Sequence, residues 1–181
     1  HVGAGTFKPV KATNVFEHEM HSEQILVEKN FIQQLLNKLS GNIAAVGTTS
    51  LRTLESLYWL GLKIHNKLFE SDGSLKVNQF EYYTLKPTLS PQEALRSIIE
   101  YLEKTDSDKL LARTQLMITP GYPWQLVNIL ATNFHQPKST LILLVASFIG
   151  DKWKGLYQYA LENNFRFLSY GDGSLLFRGK N

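Results

Sequence analysis

Glu17-His18-Glu19-Met20-His21-Ser22-Glu23 sets two imidazoles and three carboxylates in one short stretch. Imidazole is the side chain whose ordinary pKa lies near neutrality, and a neighbouring carboxylate can tune it for acid–base work. Glu17 or Glu23 would be that neighbour. His18 and His21 would share a face if the stretch were helical. The order is not H-E-x-x-H, because position 22 is Ser, so a zinc-type site is not expected. The plain alternative is a solvated polar turn.

Gly47-Thr48-Thr49-Ser50 is a second candidate. It follows the apolar run Ile43 to Val46, which suits a strand buried on both faces. It precedes Leu51, Leu54, Leu57 and Tyr58, which recur at helical spacing as far as Gly61. A strand thus feeds a helix through glycine and three hydroxyls. Free N–H groups and the positive helix end favour an anion or a polar small molecule there. The plain alternative is that Thr49 or Ser50 caps the helix. Arg52 and Glu55 lie one turn on, spaced i,i+3, where a surface ion pair is the simple expectation. Thr132-Asn133-Phe134-His135-Gln136-Pro137-Lys138-Ser139-Thr140 is a second polar turn of the same kind. A basic Lys138 at a helix start goes against the helix dipole and points to an anionic partner or to plain solvation. His1-Val2-Gly3-Ala4-Gly5-Thr6-Phe7 is a glycine-rich loop that backbone could bring close to a ligand. It lacks the third glycine of a dinucleotide fingerprint.

The positioning elements follow from periodicity. Ile25–Val27 reads as the end of a strand, and Phe31, Ile32, Leu35, Leu36 and Leu39 form a helical stripe closed by Ser40-Gly41. With the strand and helix after it, the order is β-α-β-α, which argues for a parallel sheet under helices. Residues 63–74 read as a polar loop. Gln79–Tyr83 reads as a strand, being rich in aromatics. Ser90-Pro91-Gln92-Glu93 is a capping box with Pro at the first helical position, opening a helix to Lys104. Gln115–Thr119 and Gln125–Ala131 read as strands. Leu141–Ile149 is apolar on all sides and reads as a helix buried in a core. Asp151–Asn163 is a helix. Phe165–Tyr170 and Ser174–Arg178 read as a hairpin turned by Gly171-Asp172-Gly173.

The 181 residues fit one domain, or one large piece of one. Hydrophobic residues at 43% and charged residues at 19% exclude a disordered chain. The absence of cysteine excludes disulfides, thiolate metal sites and a cysteine nucleophile. Leu141–Ile149 is too short to span a bilayer, so no membrane partner is expected. A net charge of +3 is compatible with a nucleic-acid partner without demanding one. The chain opens on His1 rather than Met, directly on a functional-looking loop, as if its natural beginning were missing.

Five stretches stand together in one order: H-V-G-A-G-T-F-K-P at His1–Pro9, H-E-M-H-S-E at His18–Glu23, A-V-G-T-T-S-L-R-T-L-E-S at Ala45–Ser56, T-N-F-H-Q-P-K-S-T-L at Thr132–Leu141, and F-L-S-Y-G-D at Phe167–Asp172. In them the chain resembles the carboxyl-terminal part of the S-adenosylmethionine:tRNA ribosyltransferase-isomerase family of queuosine biosynthesis. The last motif departs slightly, at Leu168-Ser169. The resemblance implies an α/β domain: a mostly parallel sheet with helices on both faces, in a three-layer, Rossmann-like or incomplete-barrel arrangement, ending in a β-hairpin. It implies that an inserted β-barrel and the first strands precede this chain. It marks 62–113 as an atypical insertion, either decoration or a sign of another substrate.

The resemblance also implies a reaction. The ribosyl part of S-adenosylmethionine moves onto the aminomethyl group of 7-aminomethyl-7-deazaguanine in tRNA and rearranges to epoxyqueuosine, with adenine and methionine leaving. No metal is called for, S-adenosylmethionine is a co-substrate, and the setting is cytoplasmic. The family reading gives His18, His21, Glu23 and His135 acid–base roles. It gives substrate contacts to His1, Gly3, Gly5, Thr6, Thr48, Thr49, Ser50, Arg52, Glu55, Asn133, Ser139, Thr140, Tyr170 and Asp172. Lys8, Lys11, Lys138, Lys152 and Lys154 become candidate tRNA phosphate contacts. The alternatives are a relative acting on another nucleoside or adenosyl compound, and a non-catalytic fragment that binds S-adenosylmethionine or RNA. A sheet cut before its first strands would expose an edge, so self-association is a further expectation.

Overall fold

The computed structural model describes residues 20–137 and 139–179. The elements run β1 (Glu23–Glu28), α1 (Lys29–Lys38), β2 (Ala44–Val46), α2 (Thr48–His65), β3 (Lys76–Val77), α3 (Glu81–Thr84), α4 (Pro91–Lys104), β4 (Lys109–Thr114), β5 (Ile129–Asn133), α5 (Thr140–Ile149), α6 (Lys152–Glu162) and β6 (Gly173–Phe177). Among the described residues none forms a helix long and apolar enough to cross a membrane.

Helix α2 is the axis of the core. Leu51, Leu57, Tyr58, Trp59 and Leu60 are fully buried along it, and burial continues to Lys63. A helix buried all round belongs in the middle of a fold. Gly61 does not close it, as the sequence led us to expect; the helix runs four residues further. Gly61 is instead where α4 comes closest, since a Cβ there would stand 2.1 Å from the Ala94 carbonyl oxygen. Helix α4 begins at the expected capping box: Ser90 Oγ accepts from the Glu93 amide and Glu93 accepts from the Ser90 amide. Its buried stripe of Ala94, Leu95, Ile98, Ile99 and Leu102 lies on α2.

The expected single, mostly parallel sheet gives way to two mixed three-stranded sheets, in the orders β1-β4-β3 and β2-β5-β6. In the first, β1 pairs antiparallel with β4, Glu23 opposite Thr114, and β3 runs parallel to β4. In the second, β2 runs parallel to β5 and β6 returns antiparallel. The reason is the segment 62–113. It supplies β3, α3, α4 and nearly all of β4, and β4 takes the edge of β1 that a parallel β2 would have used. That segment is built into the core. Strand β1 alternates, burying Ile25 and Val27 but not the residues between, the pattern of a sheet covered on one face. Strand β2 is likewise covered on one side, with Val46 75% exposed, so the reading of burial on both faces fails.

Further expectations are corrected. Gln79–Tyr83 is not a strand: Glu81–Thr84 forms the short helix α3, because Glu81 Oε2 accepts from the Asn78 amide and Oε1 accepts from Lys63. A helical turn lets Glu81 reach both, and this outweighs the strand preference of the aromatics. Gln115–Thr119 carries no ladder; the strand is the preceding β4, and Gln125–Ala131 yields one only from Ile129. Phe165–Tyr170 is not the partner of β6, which pairs with β5. Left-handed backbone at Asn164 and Leu168 breaks any strand there, and Asp172 folds back to accept from the Arg166 amide. Helix α5 is half-buried rather than enclosed, with Leu144, Val145, Ala146 and Phe148 inward.

Candidate active site

The two polar turns meet through strand pairing. Because β2 and β5 are parallel with Val46 opposite Ala131, both strands end on the same side. The Gly47 amide donates to the Ala131 carbonyl at 2.8 Å. The start of α2 therefore lies beside the loop after β5, at the carboxyl ends of parallel strands, where α/β folds place their ligands.

At the start of α2, Gly47 is the N-cap with a left-handed φ of 86°, and no side chain caps the helix. The capping role considered for Thr49 or Ser50 is therefore absent. Thr48 is buried, Thr49 is half-buried and Ser50 is exposed. Among the described residues the first amide groups of α2 have no hydrogen-bond partner, and they lie under a positive helix end. Ser50 and Thr53 also line a cavity of about 550 Å³ between β1 and β2, walled by Leu26, Val27, Phe31 and Val46.

One turn on, Arg52 is buried and reaches across the core. Its Nε donates to the Leu116 carbonyl at 2.9 Å and its Nη1 to Glu23 Oε1 at 3.0 Å. Burial pulls the guanidinium below its ordinary pKa, against the attraction of Glu23. His21 Nε2 shares the same Glu23 oxygen at 2.9 Å, and the His21 side chain is 33% exposed. His21, Glu23 and Arg52 thus form one acid–base cluster, with a solvent-touching imidazole on a buried ion pair. The surface pairing expected between Arg52 and Glu55 is replaced: each turns inward to its own partners. Both oxygens of Glu55 are taken by the protein. Oε1 accepts from the amides of Leu126 and Val127, and Oε2 from the Gln125 amide and the Tyr122 hydroxyl. Burial pushes the Glu55 carboxyl up, and these four donors pull it back. Glu55 positions the loop before β5.

His135 is 8% exposed, its Nε2 stands 3.1 Å from Thr132 Oγ1, and its amide donates to the Tyr157 hydroxyl. Burial lowers its pKa from 6.5 to about 4, so the ring is neutral at pH 7. Between these values the unfolded chain binds the extra proton, so this contribution to stability is full above pH 6.5 and fades as pH falls toward 4. Denaturant titrations of the full-length protein at pH 7 and pH 4.5 are expected to show a loss about 2–3 kcal/mol larger for the wild type than for His135→Gln. Equal losses would remove the buried neutral ring as the cause.

Asn133 Nδ2 donates to the Gly171 carbonyl, Ser139 caps α5 and Thr140 is buried. Asp172 pairs with Arg166 at 3.1 Å, which holds its carboxyl below the ordinary range. Tyr170 is 97% exposed. These residues lie around the second turn, and their contacts here are with the protein. Lys152 and Lys154 are exposed on α6. His1, Gly3, Gly5, Thr6, Lys8, Lys11, Glu17, His18 and Lys138 fall outside the described residues. Among the described residues no three His, Asp or Glu side chains converge as metal ligands.

Some positioning residues had no local signal. Gln79 Oε1 accepts from the Met20 amide and Gln115 Nε2 donates to the Met20 carbonyl, fixing the backbone beside His21 from sequence distances of 59 and 95 residues. Thr114, paired with Ser56 at 2.7 Å, and Tyr122 are of the same kind. Only a known strand pairing could have found them.

With this geometry in view, three similarities bear on it. The sequence model of the family described as Queuosine biosynthesis protein matches residues 1–176. A protein of Rickettsia bellii (strain RML369-C) named S-adenosylmethionine:tRNA ribosyltransferase-isomerase is 40% identical over 181 residues, covering 98% of this chain and 39% of that protein. One of the same name from Burkholderia cenocepacia (strain HI2424) is 36% identical, covering 98% of this chain and 40% of its own length. The crystal structure of S-adenosylmethionine tRNA ribosyltransferase from Thermotoga maritima is similar with a TM-score of 0.54 and 28% identity, over 84% of this chain and 40% of that one. The chain thus spans about two fifths of the length of the curated relatives it matches.

Proposed function

The chain belongs to the queuosine biosynthesis protein family, and we propose that it is the carboxyl-terminal part of an S-adenosylmethionine:tRNA ribosyltransferase-isomerase. The protein of which it is part moves the ribosyl moiety of S-adenosylmethionine onto 7-aminomethyl-7-deazaguanine in tRNA. The bond to sulfur and the bond to adenine break, and methionine and adenine leave. The observation that carries this reading is the His21–Glu23–Arg52 cluster at the open start of α2. A proton beside a sulfonium needs a base, and departing adenine needs a hydrogen-bond donor. His21, held by Glu23 and touching solvent, is placed to exchange a proton. The neutral His135 and Asn133 orient substrate from the neighbouring turn, and Lys152 and Lys154, with Lys8, Lys11 and Lys138, contact tRNA phosphates. A different substrate has little to rest on, because 62–113, its sole support in the sequence, is core rather than appendage.

The test is product release by the full-length protein. Mixed with S-adenosylmethionine and tRNA carrying the aminomethyl-deazaguanine, it is expected to release adenine and methionine in equal amounts, only when the tRNA is present. Release of neither product would sink the reading.

A further inference from the structure

Among the described residues the other buried charged side chains have their hydrogen-bond partners. Glu55 receives four donors. Lys63 Nζ gives its three hydrogens to Glu70, Glu81 and the Lys76 carbonyl. The Glu23–Arg52 pair departs from this pattern. Its side chains are 4% and 3% exposed. Glu23 Oε2 and Arg52 Nη2 are buried and have no hydrogen-bond partner among the described residues. A buried acceptor and a buried donor, both charged and joined through one Nη1–Oε1 contact of 3.0 Å, are costly to leave unmade.

We propose that Glu23 and Arg52 hold the α-amino-acid end of S-adenosylmethionine, with the ammonium on Glu23 Oε2 and the carboxylate on Arg52 Nη2. This builds on the function proposed above and assigns one part of its substrate. A lone anion would satisfy Arg52 but meet the Glu23 charge. A lone cation would do the reverse. A zwitterion carries one cationic donor and one anionic acceptor on a single carbon and is net neutral, like the pair it meets, so no charge is buried uncompensated. A guanine-type base edge also sets donors beside an acceptor. It needs both carboxylate oxygens for two N–H groups, and Glu23 Oε1 is already engaged by Arg52 and His21. Arg52 lies one helical turn from the uncapped amides of α2. The methionyl end would therefore be anchored there, with the sulfonium carried toward that turn.

The experiment measures dissociation constants by equilibrium dialysis with the full-length protein. Its ligands are S-adenosylmethionine, its decarboxylated form, which keeps the amine, and 5′-methylthioadenosine, which lacks the amino-acid end. Arg52→Lys is expected to weaken S-adenosylmethionine at least about tenfold and to leave both other ligands within about twofold. Glu23→Gln is expected to weaken S-adenosylmethionine and its decarboxylated form, leaving methylthioadenosine unchanged. Equal losses for all three ligands would make the pair purely structural and overturn the proposal. Unchanged S-adenosylmethionine binding with weakened tRNA binding would assign the pair to a base edge and also overturn it. In both cases adenine and methionine release by the wild type would leave the ribosyltransferase reading standing. A wild type that neither binds S-adenosylmethionine nor releases products removes both.

Discussion

Glu55→Ala in the full-length protein is expected to cost at least about 4 kcal/mol of folding stability. The substitution removes one carboxylate and strands four donors: the amides of Gln125, Leu126 and Val127 and the Tyr122 hydroxyl. Each buried donor left unmade costs about 1–3 kcal/mol, and the costs overlap because relaxation of one loop serves several of them. The same loop leads into β5, whose end carries Thr132 and Asn133, so its release disorders the second turn of the site. Glu55→Gln keeps the shape and one acceptor oxygen. That oxygen can serve Leu126 and Val127, while the new amide sets a donor against the Gln125 N–H and makes the Tyr122 hydroxyl turn from donating to accepting, an intermediate loss of about 2 kcal/mol. Tyr122→Phe removes one of the four donors to Glu55 and leaves Trp59 Nε1 without its acceptor, the smallest loss of the three. Urea midpoints read in that order would support the clamp. Midpoints unmoved in Glu55→Gln, with S-adenosylmethionine binding abolished, would return Glu55 to the substrate-binding role that the family resemblance implies.

What the sequence shows and hides follows the range of the interactions. The capping box at Ser90–Glu93 is local, with spacing and chemistry confined to four residues, and it is legible. Helices α1, α2, α4, α5 and α6 are legible for the same reason, since an apolar stripe is a property of one segment. Strand partners are not. Glu23 opposite Thr114 and the Arg52–Leu116 contact join residues that no periodicity links. This is why β1 and β2, read as neighbours from their order, stand in different sheets. It is also why Gln79, placed in an imagined strand, turns out to hold the backbone of Met20. For the site, a histidine tuned by Glu23 is readable from their closeness in sequence, and the tie of Arg52 to that pair is not. Their convergence depends on β4, which lies in the segment whose sequence least resembles a functional motif.

That segment's place in the core sets the last expectation. Gly61→Ala should cost about 3 kcal/mol, although in an exposed helix the same change gains up to about 1 kcal/mol through helix propensity. The sign is decided by Ala94. A Cβ on Gly61 would stand 2.1 Å from the Ala94 oxygen, 2.6 Å from its carbonyl carbon and 2.9 Å from its Cα. All three are backbone atoms in the first turns of α4, which the capping box pins, so no side-chain rotation relieves the clash. The helices must part, and with them the packing of α2 on α4 in the core they share. Ala94→Gly is expected not to rescue, because the Ala94 side chain is not what the new methyl meets. Were 62–113 a decoration on an independent core, Gly61→Ala would loosen α4 locally and leave the global unfolding midpoint and S-adenosylmethionine binding untouched. If the segment is structural, the midpoint falls and binding weakens with it, since β4 leaves the same segment to pair with β1 and its end carries the chain to Leu116, which holds Arg52.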